Sequence, residues 1–318
     1  MTRRALLLRL ALAGLVILLL GALLHSLGTL DPAAVGATLS QLDPLPYLGA
    51  AGSFALVILV RARRWRRLTT IDGETRLRSG DALALVLGGA SINALLPGRS
   101  GDLYRVVETG RRGRMSRARV AGAALIERVL DLGVLGVCFL LAGALTFGDR
   151  LPVELAGLVL FAALLPILAA PLLLLPGTTA LALLDRLPLP GRLRVIARDI
   201  AHGGFSTVHR GTIVALLGET TLSWIGEGGR LFLVAVALGA GDSLGVSGAL
   251  FAALVAALLS VTPFTPAGLG VTEVGLVLLL SSGFGIDPAT GAAIALADRL
   301  LHTYAVLPVA ALFGVTRR

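Results

Sequence analysis

The sequence predicts an all-α polytopic membrane protein, with about six full transmembrane helices and two re-entrant helical hairpins arranged as an inverted repeat. Three observations carry that prediction. The 318 residues are 56% hydrophobic and only 15% charged, outside the range of soluble domains. Two Pro/Gly breaks, at Pro97 and Pro266, interrupt apolar tracts 169 positions apart. The arginines collect in a few segments between apolar tracts.

Crossing about 30 Å of hydrocarbon takes roughly 20 apolar residues. Candidate spans are residues 5–24, 45–60, 118–146, 153–175, 211–238 and 288–314. Leu and Ala dominate them and period-two alternation is missing, so helices are expected. Regions 81–109 and 244–284 are cut by the breaks into pieces mostly too short to cross. Arg3-Arg4 ahead of apolar residues 10–24 resembles a signal peptide, but no small-residue cleavage site follows, so a retained first span is expected. Segments 32–42 and 191–204 read as short interfacial or connecting helices. The whole chain, 1–318, reads as a single transmembrane domain with repeats at about 5–146 and 153–314.

Arginine placement sets the routing. Arg3, Arg4 and Arg9, seven arginines between 61 and 78, five between 111 and 119, five from Arg186 to Arg210, and two at the C-terminus make 22 of 28. The positive-inside rule assigns those segments, and both termini, to the cytoplasm. Residues 81–109 then enter and leave on one side, with a tip near Pro97. Residues 244–284 re-enter from the other side, with a tip near Pro263 to Gly270. Each half therefore reads span, span, hairpin, span, in opposite orientations. Matches at the same offset (Ser91 with Ser260, Pro97 with Pro266, Gly101 with Gly270) agree with it. So do Ala124–Asp131 and Ala295–His302 at an offset of 171. Broken helices at matching places in two halves point to a substrate site at the midplane of a transporter.

The net charge of +9 comes from arginine alone, since lysine is absent. Every cation is thus a planar fork able to grip phosphate through two hydrogen bonds. Because these arginines lie between apolar tracts, anionic lipid explains them better than nucleic acid. Cys138 is the one cysteine and lies in an apolar run, which leaves no disulfide framework or thiol metal site. HExxH, GxSxG, Walker A and DxD motifs are missing, so no enzyme activity, metal or cofactor is expected.

The first break contains Asn93, the chain's one asparagine, then Pro97, Gly98 and Arg99. Ser100 or Gly101 can begin the outgoing helix, leaving backbone N–H groups and Arg99 as an anion site. Asp102 and Arg105 stand three apart and can pair; alternatively Asp102 caps the helix and Arg105 snorkels to the surface. Glu127, Arg128 and Asp131 lie inside a span, as do Asp298 and Arg299, where charge is costly and marks pathways or structural pairs. Glu127 and Asp131 share a face and can bind one cation or clamp Arg128 or Arg99 between them. At the second break Thr262, Thr265 and Thr272 offer hydroxyls, and Glu273 enters near the start of a half-helix. Glu227 and Arg230 read as a structural pair with Glu219 two turns earlier. His302 lies one turn from Asp298. Arg64 reads as a surface arginine.

The segments Asn93–Arg105, Glu127–Asp131, Pro266–Glu273 and Asp298-Arg299 resemble the lysylphosphatidylglycerol synthase transmembrane family, over about residues 5 to 314. The resemblance implies lipid movement across the bilayer, with Arg99, Asp102, Glu127, Arg128, Glu273 and Arg299 as the matching polar positions. The chain stops at Arg318 without the aminoacyl-transferase domain of the bifunctional members, so synthesis of lysyl-lipid is not expected. The leading expectation is a flippase-like translocator in the cytoplasmic membrane. Its cargo would be an aminoacylated or other anionic phospholipid, or a polyprenyl-phosphate-linked sugar. The alternative is a non-transporting membrane partner that presents lipid to a glycosyltransferase. A homodimer, or association with a membrane glycosyltransferase or lipid synthase, stays open.

Overall fold

The chain is seen here as a computed structural model. It describes residues 31–71, 74–75, 77–96, 98–148, 210–261 and 265–312, with scattered positions between 157 and 201. The expected span 5–24, all of 153–175 but Gly157, both termini, the expected tip residues Pro97 and Pro263, Thr262 and half of 191–204 lie outside the described residues.

Helix α1 is Pro32–Ser40 and α2 is Pro44–Leu68. A two-stranded ribbon of two residues each (β1, Thr70–Ile71; β2, Glu74–Thr75) follows. Then come α3 (Ser79–Leu95), α4 (Ser100–Arg112), α5 (Arg117–Phe147), α6 (Arg210–Ala237) and α7 (Gly241–Ser260). A 3-10 turn at Pro266–Gly268 leads into α8 (Val271–Phe284), and α9 (Pro288–Arg299) passes through a π turn into α10 (Val306–Leu312). Five of these segments are long and apolar enough to cross a membrane. The protein is an all-α polytopic membrane protein.

Three helices share a start signal that is already present in the sequence, Asp followed by Pro. Asp31, Asp43 and Asp287 each accept a backbone N–H of the first turn at 2.9–3.0 Å, with Pro at the first helical position. Proline there loses no hydrogen bond, and its φ already suits the helix.

Two expectations are corrected. The span expected at 45–60 does not end before its arginines: α2 continues through Leu68 and carries Arg61, Arg63, Arg64, Arg66 and Arg67 as helix residues. Helix α2 packs along α6, its most extensive neighbour, and acidic residues of α6 hold several of those arginines in place. The second broken region is also not divided into short pieces. Its helix α7 starts at Gly241, ahead of the region, and keeps 20 residues, while α8 has 14 residues, or 19 together with the 3-10 turn from Pro266. The first region does divide short, into 17 and 13 residues.

The two breaks share a backbone conformation. Gly98 and Arg99 have φ of 75° and 54°; Ala267 and Gly268, 169 positions later, have 49° and 67°. Two consecutive left-handed residues reverse the chain tightly, and this is costly for the non-glycine member of each pair. Close approach of α3 and α4 needs Gly101, because a β-carbon there would land on the carbonyl oxygen of Gly89. The 3-10 turn of the second break lies against α3, which brings it to the first broken element. Apolar packing completes the frame. Phe139 of α5 stacks at 4.6 Å on Phe251 of α7, with Leu135, Leu254 and Phe147 around them.

Candidate functional site

Helix α4 begins at Ser100, as its sequence implies, but its first N–H groups are not free for an anion. The N–H of Gly101 donates to Asn93 Oδ1 at 2.8 Å, and that of Asp102 to the carbonyl of Arg99 at 3.0 Å. Asn93, read as a binding residue, therefore closes the break from inside. The cationic groups at this end are guanidiniums.

Those groups form a continuous chain of ion pairs. Asp102 Oδ2 accepts from Arg99 Nε at 3.0 Å and from Arg128 Nη2 at 2.7 Å. Arg128 also stands 3.8 Å from Asp131, one turn along α5. Asp131 receives Arg64 Nη1 at 2.6 Å, and Arg64 Nη2 reaches Glu127 at 2.9 Å. Glu127 is gripped from its other side by Arg105, whose guanidinium lies 4.0 Å from the Trp65 ring.

Several expected pairings are thereby corrected. Asp102 and Arg105 do not pair; helical rotation aims Arg105 at Glu127 and Asp102 at Arg128. Arg105 does not snorkel but is buried. Glu127 and Asp131 do clamp one arginine, yet it is Arg64 of α2, not Arg128 or Arg99. Arg64 is no surface residue, being 2% exposed and also bonded to Thr220 of α6 at 2.8 Å. Sequence reading missed it by treating Arg61–Arg78 as a loop. The available signal was helical phase, since Arg61 and Arg64 continue the register of α2 on one face.

A second cluster surrounds the other break. Glu273 Oε2 accepts the N–H of Gly270 at 2.7 Å and its other oxygen takes Arg299. Arg299 also donates to the carbonyl of Ala267 at 2.9 Å, tying α9 to the break. Asp298 pairs with Arg230 of α6, and His302 Nδ1 lies 3.3 Å from its carboxylate. Glu227 joins Arg230 at 2.8 Å and Arg61 of α2 at 2.7 Å. The expected Glu227–Arg230 pair is present; Glu219 instead takes Arg63 and Arg67. Thr265 and Thr272 are buried, and their hydroxyl oxygens have no partner among the described residues.

The clusters differ in charge and access. Around the first break four arginines (Arg64, Arg99, Arg105, Arg128) face three carboxylates (Asp102, Glu127, Asp131). Around the second, Arg61, Arg230 and Arg299 face Glu227, Glu273 and Asp298, three against three. At the first break, Arg99 and Arg128 keep side-chain exposures of 42% and 35%, while Arg64 and Glu127 are closed off. The arrangement can present two guanidinium forks, converging on one oxygen, to an anion arriving from the open side.

A family model described as the lysylphosphatidylglycerol synthase TM region matches residues 6–310. The chain is also similar to the UPF0104 membrane protein MJ1078 of Methanocaldococcus jannaschii. They are 25% identical over 224 residues, which cover 70% of this chain and 91% of that protein.

Proposed function

The chain belongs to the lysylphosphatidylglycerol synthase transmembrane family, and from that premise we propose that it translocates a phosphate-bearing lipid across the cytoplasmic membrane. The cargo is an aminoacylated or other anionic phospholipid, or a polyprenyl-phosphate-linked sugar. Its phosphate rests on Arg99 and Arg128 while the apolar chains stay in lipid.

One observation carries the reading: among the described residues the first cluster holds one more guanidinium than carboxylates, and the excess lies at its open Arg99–Asp102–Arg128 end. Surplus charge among apolar helices is costly, and intramembrane ionisable groups mark substrate paths by default. A bound anion offsets that cost. The balanced second cluster has no comparable need, and we assign it a structural role, fastening α9 to the break and to α6.

In this reading the two helix–break–helix elements are re-entrant hairpins of an inverted repeat, with both termini cytoplasmic. Their shared left-handed residue pairs and their side-chain-capped Gly101 and Gly270 support it. Alternation of access comes from the halves rocking about the α2–α6 seam. The activity is transport without covalent chemistry, since the carboxylates of both clusters each hold a guanidinium.

Reconstitution in vesicles containing fluorescent phosphatidylglycerol tests this. The parent chain equilibrates the lipid between leaflets, and Arg99→Ala slows it by about tenfold or more, since hydrogen bonds to charged groups contribute roughly 1.5–3 kcal/mol. Arg111→Ala, a change at an exposed arginine outside the clusters, leaves the rate as it was. Equilibration no faster than in protein-free vesicles rules out translocation. Retention of lipid without movement then favours the partner that presents lipid to a glycosyltransferase.

A further inference from the structure

We propose that Asp102 sets the charge of the phosphate that the site accepts, reserving it for a phosphodiester bearing one negative charge. This rests on the phosphate site proposed above and narrows its cargo. It favours a phosphatidylglycerol-like or sugar-phosphoryl lipid over a phosphomonoester or pyrophosphate lipid.

The carboxylates of the first cluster differ in their freedom to adjust. Glu127 is 2% exposed and held by Arg64 and Arg105, and Asp131 is held by Arg64 at 2.6 Å, so neither carboxylate can leave its partner. Asp102 is different. It is 30% exposed, and one of its oxygens, Oδ2, receives both Arg99 and Arg128. That shared oxygen uses one donor of each fork and leaves their other N–H groups for a phosphate, so Asp102 acts as a built-in anion beside the ligand.

With Asp102 present the seven groups carry one net positive charge, four guanidiniums against three carboxylates. A phosphodiester brings that sum to zero. A phosphomonoester carries about −1.5 to −2 at neutral pH and leaves the cluster negative beside Asp102, where surroundings of low polarity amplify the repulsion. Neutralising Asp102 raises the net charge to two and moves the match toward the doubly charged ligand. Asparagine has nearly the same shape and keeps an oxygen for Arg99 and Arg128, so the change is one of charge.

The full chain in detergent is titrated calorimetrically with dihexanoyl-phosphatidylglycerol and with dihexanoyl-phosphatidic acid. The parent binds the diester more tightly. Asp102→Asn shifts the ratio of the two affinities toward the monoester by about three- to tenfold, the scale of one partly solvated ion pair or two. Asp102→Glu keeps the parental ratio. A variant-free arm uses pH: between about pH 5 and pH 8 the monoester gains its second charge, with a pKa near 6, so the parent loses affinity for the acid relative to the diester. An unchanged ratio in Asp102→Asn overturns the inference, as does a parent that prefers the acid at about pH 8, while loss of both lipids in Arg99→Ala leaves the phosphate site standing. Binding of both lipids by Arg99→Ala as tightly as by the parent removes the site itself, and the inference with it.

Discussion

The side-chain oxygen of Asn93 accepts the N–H of Gly101 at 2.8 Å, closing the first helix break from within the fold. Glu273 does the same for Gly270 at 2.7 Å, 169 positions further on from Gly101. A helix start is an anion site only while its N–H groups are free. With Gly101 and Gly270 occupied by side chains, the proposed phosphate recognition falls to arginine forks, which approach the break from α5 as well as from the break itself. Fork recognition is directional, so it depends on the relative placement of α4 and α5.

That placement makes Gly101 critical. Gly101→Ala puts a β-carbon on the Gly89 carbonyl oxygen and pushes α3 from α4. The expected result is a lower midpoint in thermal unfolding in detergent, with a loss of about 1–3 kcal/mol as for other overpacked contacts. Gly133→Ala is the contrast. It lies inside α5 with nothing within 4 Å of its added β-carbon, and helix propensity predicts an unchanged or slightly raised midpoint, by up to about 1 kcal/mol. Equal midpoints for the two variants contradict the close-packing argument.

Arg64 joins three helices, bonding Glu127 and Asp131 of α5 and Thr220 of α6. Arg64→Ala leaves two carboxylates with less compensation in a closed interior. Breaking such a buried pair costs about 3–5 kcal/mol, so the yield of folded protein in size-exclusion chromatography should fall sharply. Adding Glu127→Gln to Arg64→Ala should recover part of the loss. A double variant as unstable as the sum of the two singles removes the coupling between Arg64 and Glu127.

Asp287, between α8 and α9, accepts from the N–H groups of Ala289 and Thr290 at 3.0 and 3.1 Å. Hydrogen bonds from Thr290 hold its carboxyl below the usual aspartate value. Stability from such a group is present above the unfolded carboxylate pKa and is lost as pH falls through the lower folded value. Asp287→Ala should therefore cost about 1 kcal/mol at neutral pH. The gap between variant and parent should close on acidification below about pH 4. A gap that stays constant over that range denies the cap its charge dependence.

Re-entry of the first hairpin is tested by labelling. Cysteines placed at Ser79 and Ser116, which precede α3's body and α5, should react from the same side of the membrane in a Cys138→Ala background. Cys138 is buried and its replacement removes only a background thiol. Reaction from opposite sides makes the broken element a through-going span.

Much of this architecture was legible because it depends on local sequence. Apolar length, the Pro/Gly breaks and Asp-Pro starts act over a few residues, and they place most helix ends close to where the chain puts them. The site was legible by residue type, since Asp102, Glu127, Arg128 and Asp131 do converge. Partner choice was not. Arg64 was hidden because its charge looked like a loop charge, and a loop count ignores neutralisation by a distant helix. Through Arg64, helix α2 reaches ion-pair partners 63 and 67 residues later in the chain and a hydroxyl acceptor, Thr220, 156 residues later.

The sequence by itself determined that this is an all-α membrane protein broken at two related places, and which acidic and basic residues lie near the breaks. Hydrophobic length and backbone stereochemistry decide those features locally. Only the tertiary structure decided that Asn93 and Glu273 fill the helix starts, that Arg64 balances Glu127 and Asp131, and that the surplus charge lies beside Arg99 and Arg128. Ion pairing is a matter of a few ångströms between side chains far apart in sequence, and helix packing sets those distances.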